Sequence, residues 1–299
     1  MERILIVGHV TFDVILAPSF IVKGALGGSP TYAGTALSLL GFKVVALSKV
    51  GPDFKDPYVL RLAKSMDLSG LKRSLKPTTS FELSYLSGTR SLRLLSLCEP
   101  LTLSDLESGL SYDCLYIGPV ANELTPALLN ILTEDSAFKS LGVQGLLRSF
   151  KPNGEVALKP NPSLFDLLPR LDLVCGSADE ILVALSSSDL KSSILKLSRL
   201  GPSFVAVTLG EEGSLITNGH GLIRVPAYRT KAIDPTGAGD VYAGVLTAFL
   251  CRGEDLKWSA CLATAAASFI VEGVGPSRFG FKHEVEERAR KLLDRVEED

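Results

Sequence analysis

A glycine-rich turn that ends in an aspartate is the part of this sequence best suited to chemistry. Residues 234–240 read Asp-Pro-Thr-Gly-Ala-Gly-Asp, and an apolar stretch with helical character, 241–250, follows directly. Glycines in the first turn of a helix leave backbone N–H groups uncovered, and the helix dipole adds positive potential there. Gly237, Ala238 and Gly239 are therefore predicted to form an anion-binding turn.

Asp240 belongs to the same turn, so its carboxylate is expected to face the group that the amides hold. A carboxylate beside a bound anion repels it unless the reaction uses the carboxylate. Phosphoryl transfer supplies such a use, because the carboxylate accepts the proton of an attacking hydroxyl while the amides hold the phosphoryl oxygens. The competing interpretation is a first-turn charge that only complements the helix dipole.

A second glycine-rich turn, residues 208–213, lies between two predicted strands and reads Thr-Leu-Gly-Glu-Glu-Gly. A turn of this composition can bring backbone amides close to phosphates. A hairpin with a glycine-rich turn explains the pattern equally well. The candidates for binding donor phosphates are accordingly Thr208, Gly210, Gly213, Gly237 and Gly239.

Near the N-terminus, Asp13 follows the first predicted strand by a few residues. Loops at the carboxyl ends of parallel strands bind ligands, so Asp13 is a candidate for contact with a substrate. A turn aspartate without such a role is the alternative.

The elements that must position these residues alternate between strand and helix. Residues 4–7 and 43–50 read as strands around a helix at 31–40, which predicts a parallel sheet flanked by helices. Two β-prone runs, 80–86 and 91–97, surround Ser-Gly-Thr-Arg and predict a hairpin. With the region 14–22, that hairpin is expected to form a small β lid. The prediction is therefore an α/β fold in one domain, 1–299, with a lid made of about 12–26 and 78–98.

Composition excludes several classes of protein. Thirty-one basic residues face 33 acidic ones without charged blocks, so no nucleic-acid partner is expected. Five cysteines without a Cys-x-x-Cys pair give no support to disulfides or a zinc site. The apolar runs are shorter than a membrane span and no signal peptide is recognisable, so a cytoplasmic protein without membrane contact is expected. The absence of G-x-x-x-x-G-K-[ST] and of an early G-x-G-x-x-G disfavours P-loop NTPases and Rossmann dehydrogenases.

The heptapeptide 234–240 resembles the C-terminal signature of the ribokinase-like (PfkB) family of carbohydrate kinases, and the resemblance extends over essentially the whole chain. It implies a ribokinase-like fold, ATP as phosphoryl donor and Mg²⁺ as cofactor. In that family the second aspartate of the signature is the catalytic base and the preceding glycines form the anion hole. Those roles are thereby implied for Asp240 and for residues 237–239, and the turn 208–213 resembles the family's nucleotide-phosphate motif.

The resemblance also covers the acceptor side. An aspartate at the location of Asp13 binds substrate hydroxyls in the family, and Gly27 and Gly28 match its glycine pair, so all three are candidate substrate contacts. Sugar kinases of the family usually carry asparagine four residues after that pair, whereas this sequence has Tyr32. A substrate other than ribose is therefore expected.

The family's Asn-x-x-Glu magnesium motif appears here as Ser-Ala-Asp-Glu at 177–180, which keeps the glutamate and loses the asparagine. Glu180 is expected to act on Mg²⁺ through bound water, since this ion keeps most of its hydration shell. A solvated helix face is the alternative for Glu180. Asp234 and Thr236 are candidates for a monovalent-cation site.

Within the family, the sequence is most similar to archaeal myo-inositol kinases. The similarity is carried by Gly-His at 8–9 before Asp13, the glycine pair followed by Tyr32, residues 78–83 with Arg93, residues 119–121, and Gln144-Gly145 before Arg148. A cyclitol offers a ring of hydroxyls and no charge. Gln144, Asp13 and Glu82 could read these hydroxyls while Tyr32 packs on a ring face.

Two of these positions carry a second interpretation. Arg148 is a candidate for substrate binding and alternatively for neutralising the transferred phosphate. For Glu82 and Arg93 a cross-strand ion pair is favoured over contact with substrate.

The resulting hypothesis is an ATP-dependent kinase that phosphorylates a small polyol, with myo-inositol first. The alternative is a nucleoside or sugar kinase acting on adenosine, ribose, fructose or a fructose phosphate. A fructose phosphate would need cations near the lid, for which Arg90 and Arg93 are the candidates. A second alternative is a non-catalytic nucleotide- or polyol-binding protein. The sequence leaves open the preferred donor, the hydroxyl that reacts, and whether the protein is a monomer or a homodimer.

Overall fold

The computed structural model describes residues 2–86, 91–107, 109–134 and 137–298. The strands in these ranges are β1 (Arg3–Val7), β2 (Thr11–Ala17), β3 (Phe20–Gly27), β4 (Lys43–Val50), β5 (Leu71–Arg73), β6 (Ser80–Ser84), β7 (Ser91–Ser96), β8 (Cys114–Ile117), β9 (Phe138–Gly142), β10 (Arg148–Phe150), β11 (Val156–Leu158), β12 (Leu173–Ser177), β13 (Phe204–Thr208), β14 (Ser214–Thr217), β15 (Leu222–Val225) and β16 (Glu297–Glu298). The helices are α1 (Ser29–Leu39), α2 (Asp56–Leu62), α3 (Pro126–Glu134), α4 (Gln144–Leu147), α5 (Ser163–Leu167), α6 (Ala178–Ala184), α7 (Leu190–Ser198), α8 (Ala238–Cys251), α9 (Leu256–Ile270) and α10 (Lys282–Leu293).

A central sheet carries the fold, with strands in the order β16-β15-β14-β13-β12-β9-β8-β1-β4-β5. The pairs from β13 through β12, β9, β8, β1 and β4 to β5 are all parallel. β14, β15 and β16 extend one edge in antiparallel pairs. The predicted mostly parallel sheet is confirmed.

Helices cover both faces of this sheet, which explains why its strands are apolar on both sides. Along β1, Ile4 and Ile6 pack in a core with α1, α8, α9 and α10. Leu5 and Val7, which alternate with them, pack in a second core with α3, α5, α6 and α7. The expected helical flanks are therefore present on both faces.

A smaller sheet of four strands, in the order β3-β2-β6-β7, stands beside the central one. β6 and β7 pair antiparallel, as the sequence predicted, although the turn 87–90 lies outside the described residues. One face of this sheet packs Ile15, Phe81 and Leu83 against Val120 and Ala121. That the sheet closes over a substrate as a lid stays a prediction.

No helix within the described residues is long and apolar enough to cross a membrane.

Candidate active site

A cavity lies between the small sheet, the start of α1 and the start of α8. The space between these elements is about 390 Å³, counting the open solvent at its mouth. The residues that line it are Thr11, Asp13, Gly28, Tyr32, Phe81, Leu83, Leu92, Val120, Gln144, Arg148, Thr236, Gly237 and Asp240. The structure thus brings together most of the residues predicted for the acceptor and for catalysis.

The start of α8 presents backbone donors to this cavity. Gly237 precedes the helix with a φ of 83°, a conformation that favours glycine. Ala238 donates its N–H to the carbonyl of Pro235 at 3.2 Å, so this amide, predicted as part of the anion hole, is already engaged. Within the described residues, the N–H groups of Gly237, Gly239 and Asp240 have no protein acceptor. These three amides are therefore the donors left for an anion.

Asp240 is held from two other elements of the fold. The Ser29 hydroxyl, at the start of α1, donates to Asp240 Oδ1, and the Tyr116 hydroxyl on β8 lies 3.5 Å from the same oxygen. Burial raises the pKa of the Asp240 carboxyl, and the charge of Glu180 adds to this effect. Hydrogen bonds from Ser29 and Tyr116 and the charge of Arg148 lower the pKa only in part. Asp240 is thus a carboxylate of increased basicity, as a general base requires.

Asp13 is buried, with 5% of its surface exposed, on β2 of the small sheet. The Thr11 hydroxyl donates to Asp13 Oδ1 at 3.0 Å. Gly27, on the neighbouring strand β3, lies against this carboxylate, and a Cβ there would overlap Asp13 Oδ2. Gly27 therefore makes room for the side chain that faces the cavity and does not itself line it.

Tyr32 packs its ring directly on the backbone at the start of α8. A Cβ at Gly237 would overlap this ring, so the left-handed glycine is required by the tyrosine as well as by its φ. The Tyr32 hydroxyl is buried and has no hydrogen-bond partner within the described residues. Burial and the nearby carboxylates, Asp13 first, raise the pKa of this phenol, so it stays protonated and able to donate. An unpaired buried donor on a cavity wall is available to a ligand or to a water molecule.

Gln144 and Arg148 form one unit. Arg148 donates to Gln144 Oε1 at 2.7 Å and to the Val120 carbonyl at 2.8 Å, and its guanidinium lies 5.3 Å from the centre of the Phe81 ring. The amide oxygen of Gln144 is therefore engaged by the arginine, and the amide NH₂ is the group that can reach a ligand. The unit places a fixed cation on the cavity wall.

Glu82 and Arg93 lie opposite each other on β6 and β7, in the register that an ion pair needs. Arg93 instead donates to the Asn153 carbonyl at 2.7 Å. No ion pair joins Glu82 and Arg93 in the described part of the chain, so the favoured cross-strand ion pair was wrong although the two residues are register partners. The exposed position of Arg93 on the outer face of β7 lets the backbone carbonyl compete with the carboxylate.

The turn predicted to bind donor phosphates follows β13. Residues Gly210–Glu212 form a single 3₁₀ turn, and β13 and β14 pair antiparallel around it, so the turn is a hairpin connection. A Cβ at Gly210 would meet nothing within 4 Å, whereas one at Gly213 would overlap the Val225 carbonyl. Gly213 therefore serves the packing of the hairpin, and Gly210 is the position open to a ligand. Thr208 pairs in register with Ser177, which brings this edge next to the start of α6.

Glu180 closes a capping box at the start of α6. Its Oε2 accepts the Ser177 N–H at 2.8 Å, and Ser177 Oγ accepts the Glu180 N–H at 3.4 Å. This capping role was not predicted from the sequence, which offered a solvated helix face as the alternative to a role toward Mg²⁺. No group of three or more His, Cys, Asp and Glu side chains suited to a metal occurs among the described residues. A carboxylate at this edge suits Mg²⁺ that keeps its water shell.

Asp234, the first residue of the heptapeptide, is almost fully buried and accepts several hydrogen bonds. Its Oδ1 accepts from Thr236 N at 3.0 Å, Thr236 Oγ1 at 2.6 Å and Tyr85 Oη at 3.2 Å, while Oδ2 accepts from Gly275 N at 2.9 Å. The carboxylate therefore ties the turn 234–237 to the small sheet and to the loop after α9. This role was not predicted from the sequence.

Two more polar groups were missed. Glu123 is 2% exposed and accepts backbone N–H bonds from His9, Val120 and Ala121 at 2.7 to 3.0 Å. It fixes the segments that border the cavity beside β1 and β8. The second missed residue is Ser29, directly after the glycine pair. Its position was a signal that sequence analysis could have used, since a hydroxyl at the start of a helix can bond to a neighbouring segment.

Comparisons with known proteins show which proteins this chain is similar to. The model of the family described as "pfkB family carbohydrate kinase" matches residues 1–280. Inositol 3-kinase of Arabidopsis thaliana is 28% identical over 97% of this chain and 81% of its own length. Cytidine kinase of Thermococcus kodakarensis is 26% identical over 86% of this chain and 91% of its own length. A solved pyrophosphate-dependent kinase of the ribokinase family, in complex with a pyrophosphate analogue and myo-inositol, superposes with a TM-score of 0.83 at 23% identity, covering 95% of this chain and 99% of the other, and shows that the fold is shared.

Proposed function

The chain belongs to the pfkB family of carbohydrate kinases, and from this membership we propose that it transfers the γ-phosphoryl group of ATP to a hydroxyl of myo-inositol. The observation that carries the proposal is the position of Asp240. Its carboxylate lines an acceptor cavity and belongs to the same helix turn as three unpaired backbone N–H groups. A group that can accept a proton and N–H groups that can bind a phosphate thus lie in one helix turn.

The walls of the cavity suit a cyclitol. Asp13, Asp240 and the Gln144–Arg148 unit offer charged and polar groups, whereas Phe81, Leu83, Leu92 and Val120 form an apolar wall. Leu83 and Leu92 are direct cross-strand partners on β6 and β7, so this wall is continuous. myo-Inositol carries nearly all its hydroxyls around the rim of the ring and has one face of C–H groups. The rim suits the polar wall and the C–H face suits the apolar one.

In the proposed reaction, Asp13 and the Tyr32 hydroxyl orient the acceptor, and Asp240 removes the proton from the attacking hydroxyl as that oxygen bonds to the γ-phosphorus. The bond from phosphorus to the β,γ-bridging oxygen breaks, and the electron pair leaves with ADP. The amides of Gly237, Gly239 and Asp240 hold the transferred oxygens, and the Arg148 cation lies on the same cavity. Mg²⁺, when bound through water to Glu180, would supply charge neutralisation at the donor phosphates.

The donor is proposed to lie along Thr208, Gly210 and the start of α8. Gly210 and Gly239 have open space where a side chain would stand, so phosphates can approach their backbone. The family supports ATP, and the solved pyrophosphate-dependent neighbour makes pyrophosphate the donor to compare with it. A monovalent cation near Asp234 stays a proposal. The Asp234 carboxylate already accepts hydrogen bonds from backbone N–H groups of the protein.

A nucleoside kinase is the second candidate, favoured by the similarity to cytidine kinase. A fructose phosphate is less suited, because Arg93 is engaged by the Asn153 carbonyl. The other cation predicted for it, Arg90, lies outside the described residues. A non-catalytic binding protein does not account for a carboxylate of raised pKa beside unpaired amides.

The test is a steady-state kinase assay with Mg²⁺ over myo-inositol, cytidine, adenosine, ribose, fructose and fructose 6-phosphate, each with ATP and with pyrophosphate. We expect the highest kcat/KM for myo-inositol with ATP. A higher value for a nucleoside would support the second candidate. Binding of ATP without turnover of any acceptor would support the non-catalytic reading.

A further inference from the structure

Two elements distant in sequence from Asp240 converge on one of its oxygens. Ser29 Oγ and Asp240 Oδ1 are hydrogen-bonded although the residues are 211 positions apart, and Tyr116 Oη reaches the same oxygen at 3.5 Å. Ser29 is fully buried and Tyr116 is 2% exposed. These hydroxyls approach Oδ1 only, which leaves the other oxygen, Oδ2, as the one without a donor from them.

Glycines behind the cavity make this convergence possible. A Cβ at Gly118 would overlap the Ser29 hydroxyl, and one at Gly142 would lie 3.0 Å from the Tyr116 hydroxyl. A Cβ at Gly28 would overlap the His9 carbonyl, so this glycine lets α1 start where Ser29 meets Asp240. Each of these glycines therefore leaves room for a hydroxyl, or for the helix start that carries one, beside Asp240. They are explained by the need to bring two hydroxyls to the carboxylate.

We infer that Ser29 and Tyr116 are positioning residues of the reaction, which hold Asp240 Oδ1 so that Oδ2 faces the attacking hydroxyl. The inference rests on the proposed function, since it assumes that Asp240 is the base. Both hydroxyls donate to the ionised carboxylate and stabilise it over the protonated form. Without them the carboxylate holds its proton to higher pH and its orientation is no longer fixed.

Other charged groups face Asp240, and they remain in place when either hydroxyl is removed by substitution. Arg148 favours the ionised carboxylate and Glu180 disfavours it, and Asp13 lines the same cavity. Removing either hydroxyl should therefore move the acidic limb of the pH profile in one direction, toward higher pH. The limb belongs to Asp240 if it responds to Ser29 and Tyr116, neither of which bonds to Asp13 in the described structure.

The test is the pH dependence of kcat/KM for the acceptor in Ser29→Ala and Tyr116→Phe. We expect Ser29→Ala to lose about tenfold in kcat/KM at neutral pH and to shift the acidic limb to higher pH, with a smaller shift in Tyr116→Phe, whose bond is longer. Tyr116→Phe keeps the ring, so it tests the inference even if Ser29→Ala fails to fold. Unshifted limbs in the folded variants would overturn the inference.

Ser140→Ala is the matched control, because it also removes a fully buried hydroxyl. This hydroxyl is 2.7 Å from Thr247 Oγ1, to which it is hydrogen-bonded, and it does not line the cavity. It should lose stability without moving the pH profile. An equal shift in Ser140→Ala would show that the effect is structural. Asp240→Asn separates the two levels: if it keeps turnover, the proposed base is wrong, and if it is inactive while the limbs do not shift, only the positioning role fails.

Discussion

The cavity proposed for the acceptor and the edge proposed for the donor meet at Gly237 but are built in different ways. Side chains from β2, α1, β6, β7, α4 and α8 line the cavity. Most of these side chains are buried, and several are held in place by a hydrogen bond to a second residue. The donor edge has open space beside Gly210 and Gly239, and its N–H groups without a protein acceptor among the described residues lie mainly at the start of α8. A phosphate is the same in every donor and can be bound by amides, whereas a polyol must be recognised hydroxyl by hydroxyl.

This difference indicates that the specificity for the acceptor resides in the side chains of the cavity. Changes of side chain in the cavity should alter the choice of acceptor and leave the donor KM unchanged. Changes at the donor edge should matter only where they add atoms in front of an amide or disturb a glycine that the backbone requires. The predictions below test this division.

Among changes that act on stability and turnover together, the largest effect is expected at the boundary, where Gly237→Ala should be compared with Gly239→Ala. At 237 the new Cβ overlaps the Tyr32 ring and φ is 83°, so we expect a loss of about 2 kcal/mol in the free energy of unfolding and at least about tenfold in kcat. At 239 nothing lies within 4 Å, so stability should stay the same or rise by up to about 1 kcal/mol while the donor KM increases. Denaturant unfolding and steady-state kinetics measure both. Equal losses of stability in the two variants would contradict the geometry.

On the acceptor side, Asp13→Asn should lower kcat/KM for the acceptor by about 10- to 100-fold, because a charged hydrogen-bond acceptor is lost. The donor KM should not change, since Asp13 lies on β2 and not on the donor edge. Kinetics with each substrate varied in turn decide this. A parallel rise in the donor KM would mean that the two regions are not separable.

A smaller effect is expected from Tyr32→Phe, which keeps the ring on Gly237 and removes the unpaired hydroxyl. The free protein should become slightly more stable, by about 1 kcal/mol, because a buried donor without a partner is lost. The acceptor kcat/KM should fall by about fivefold to tenfold if that hydroxyl binds substrate. Unchanged kinetics together with higher stability would assign Tyr32 to packing alone.

The smallest effect is the stability of Asp240→Asn. Burial raises the pKa of Asp240 in the folded protein, so the folded chain keeps a proton over the pH interval in which the unfolded chain has lost it. The stability contributed by this proton is full below the unfolded pKa and is lost as the pH rises through the folded pKa. At neutral pH the asparagine variant should therefore have a higher Tm, with a gain below about 2 kcal/mol, and the gain should vanish in acid. A lower Tm at neutral pH would contradict the raised pKa.

Local patterns predicted much of the fold and part of the site. The apolar runs at 4–7 and 43–50 gave the parallel sheet, and the glycine pattern before 241–250 gave the start of α8. Asp13, Tyr32, Gln144 and Arg148 were predicted from a family resemblance, and the structure places them on one cavity.

The remainder depends on contacts that no local pattern encodes. β9, in the middle of the central sheet, reads Phe-Lys-Ser-Leu-Gly, and its pairing is fixed by β8 and β12 on either side. The bond from Ser29 to Asp240 joins opposite ends of the chain. Glu123 and Asp234 acquire their roles from the backbone donors that the fold brings to them. Such polar contacts follow from the assembled topology, which the sequence alone does not display.

In the proposed function, Asp240 is the base that activates the hydroxyl of a bound polyol. The most direct test is single-turnover phosphorylation of myo-inositol by the wild type and by Asp240→Asn, with binding of myo-inositol measured by calorimetry on the same samples. We expect the variant to bind myo-inositol with the wild-type stoichiometry and to form the phosphate ester about 10²- to 10⁴-fold more slowly. Ester formation at close to the wild-type rate would contradict the account.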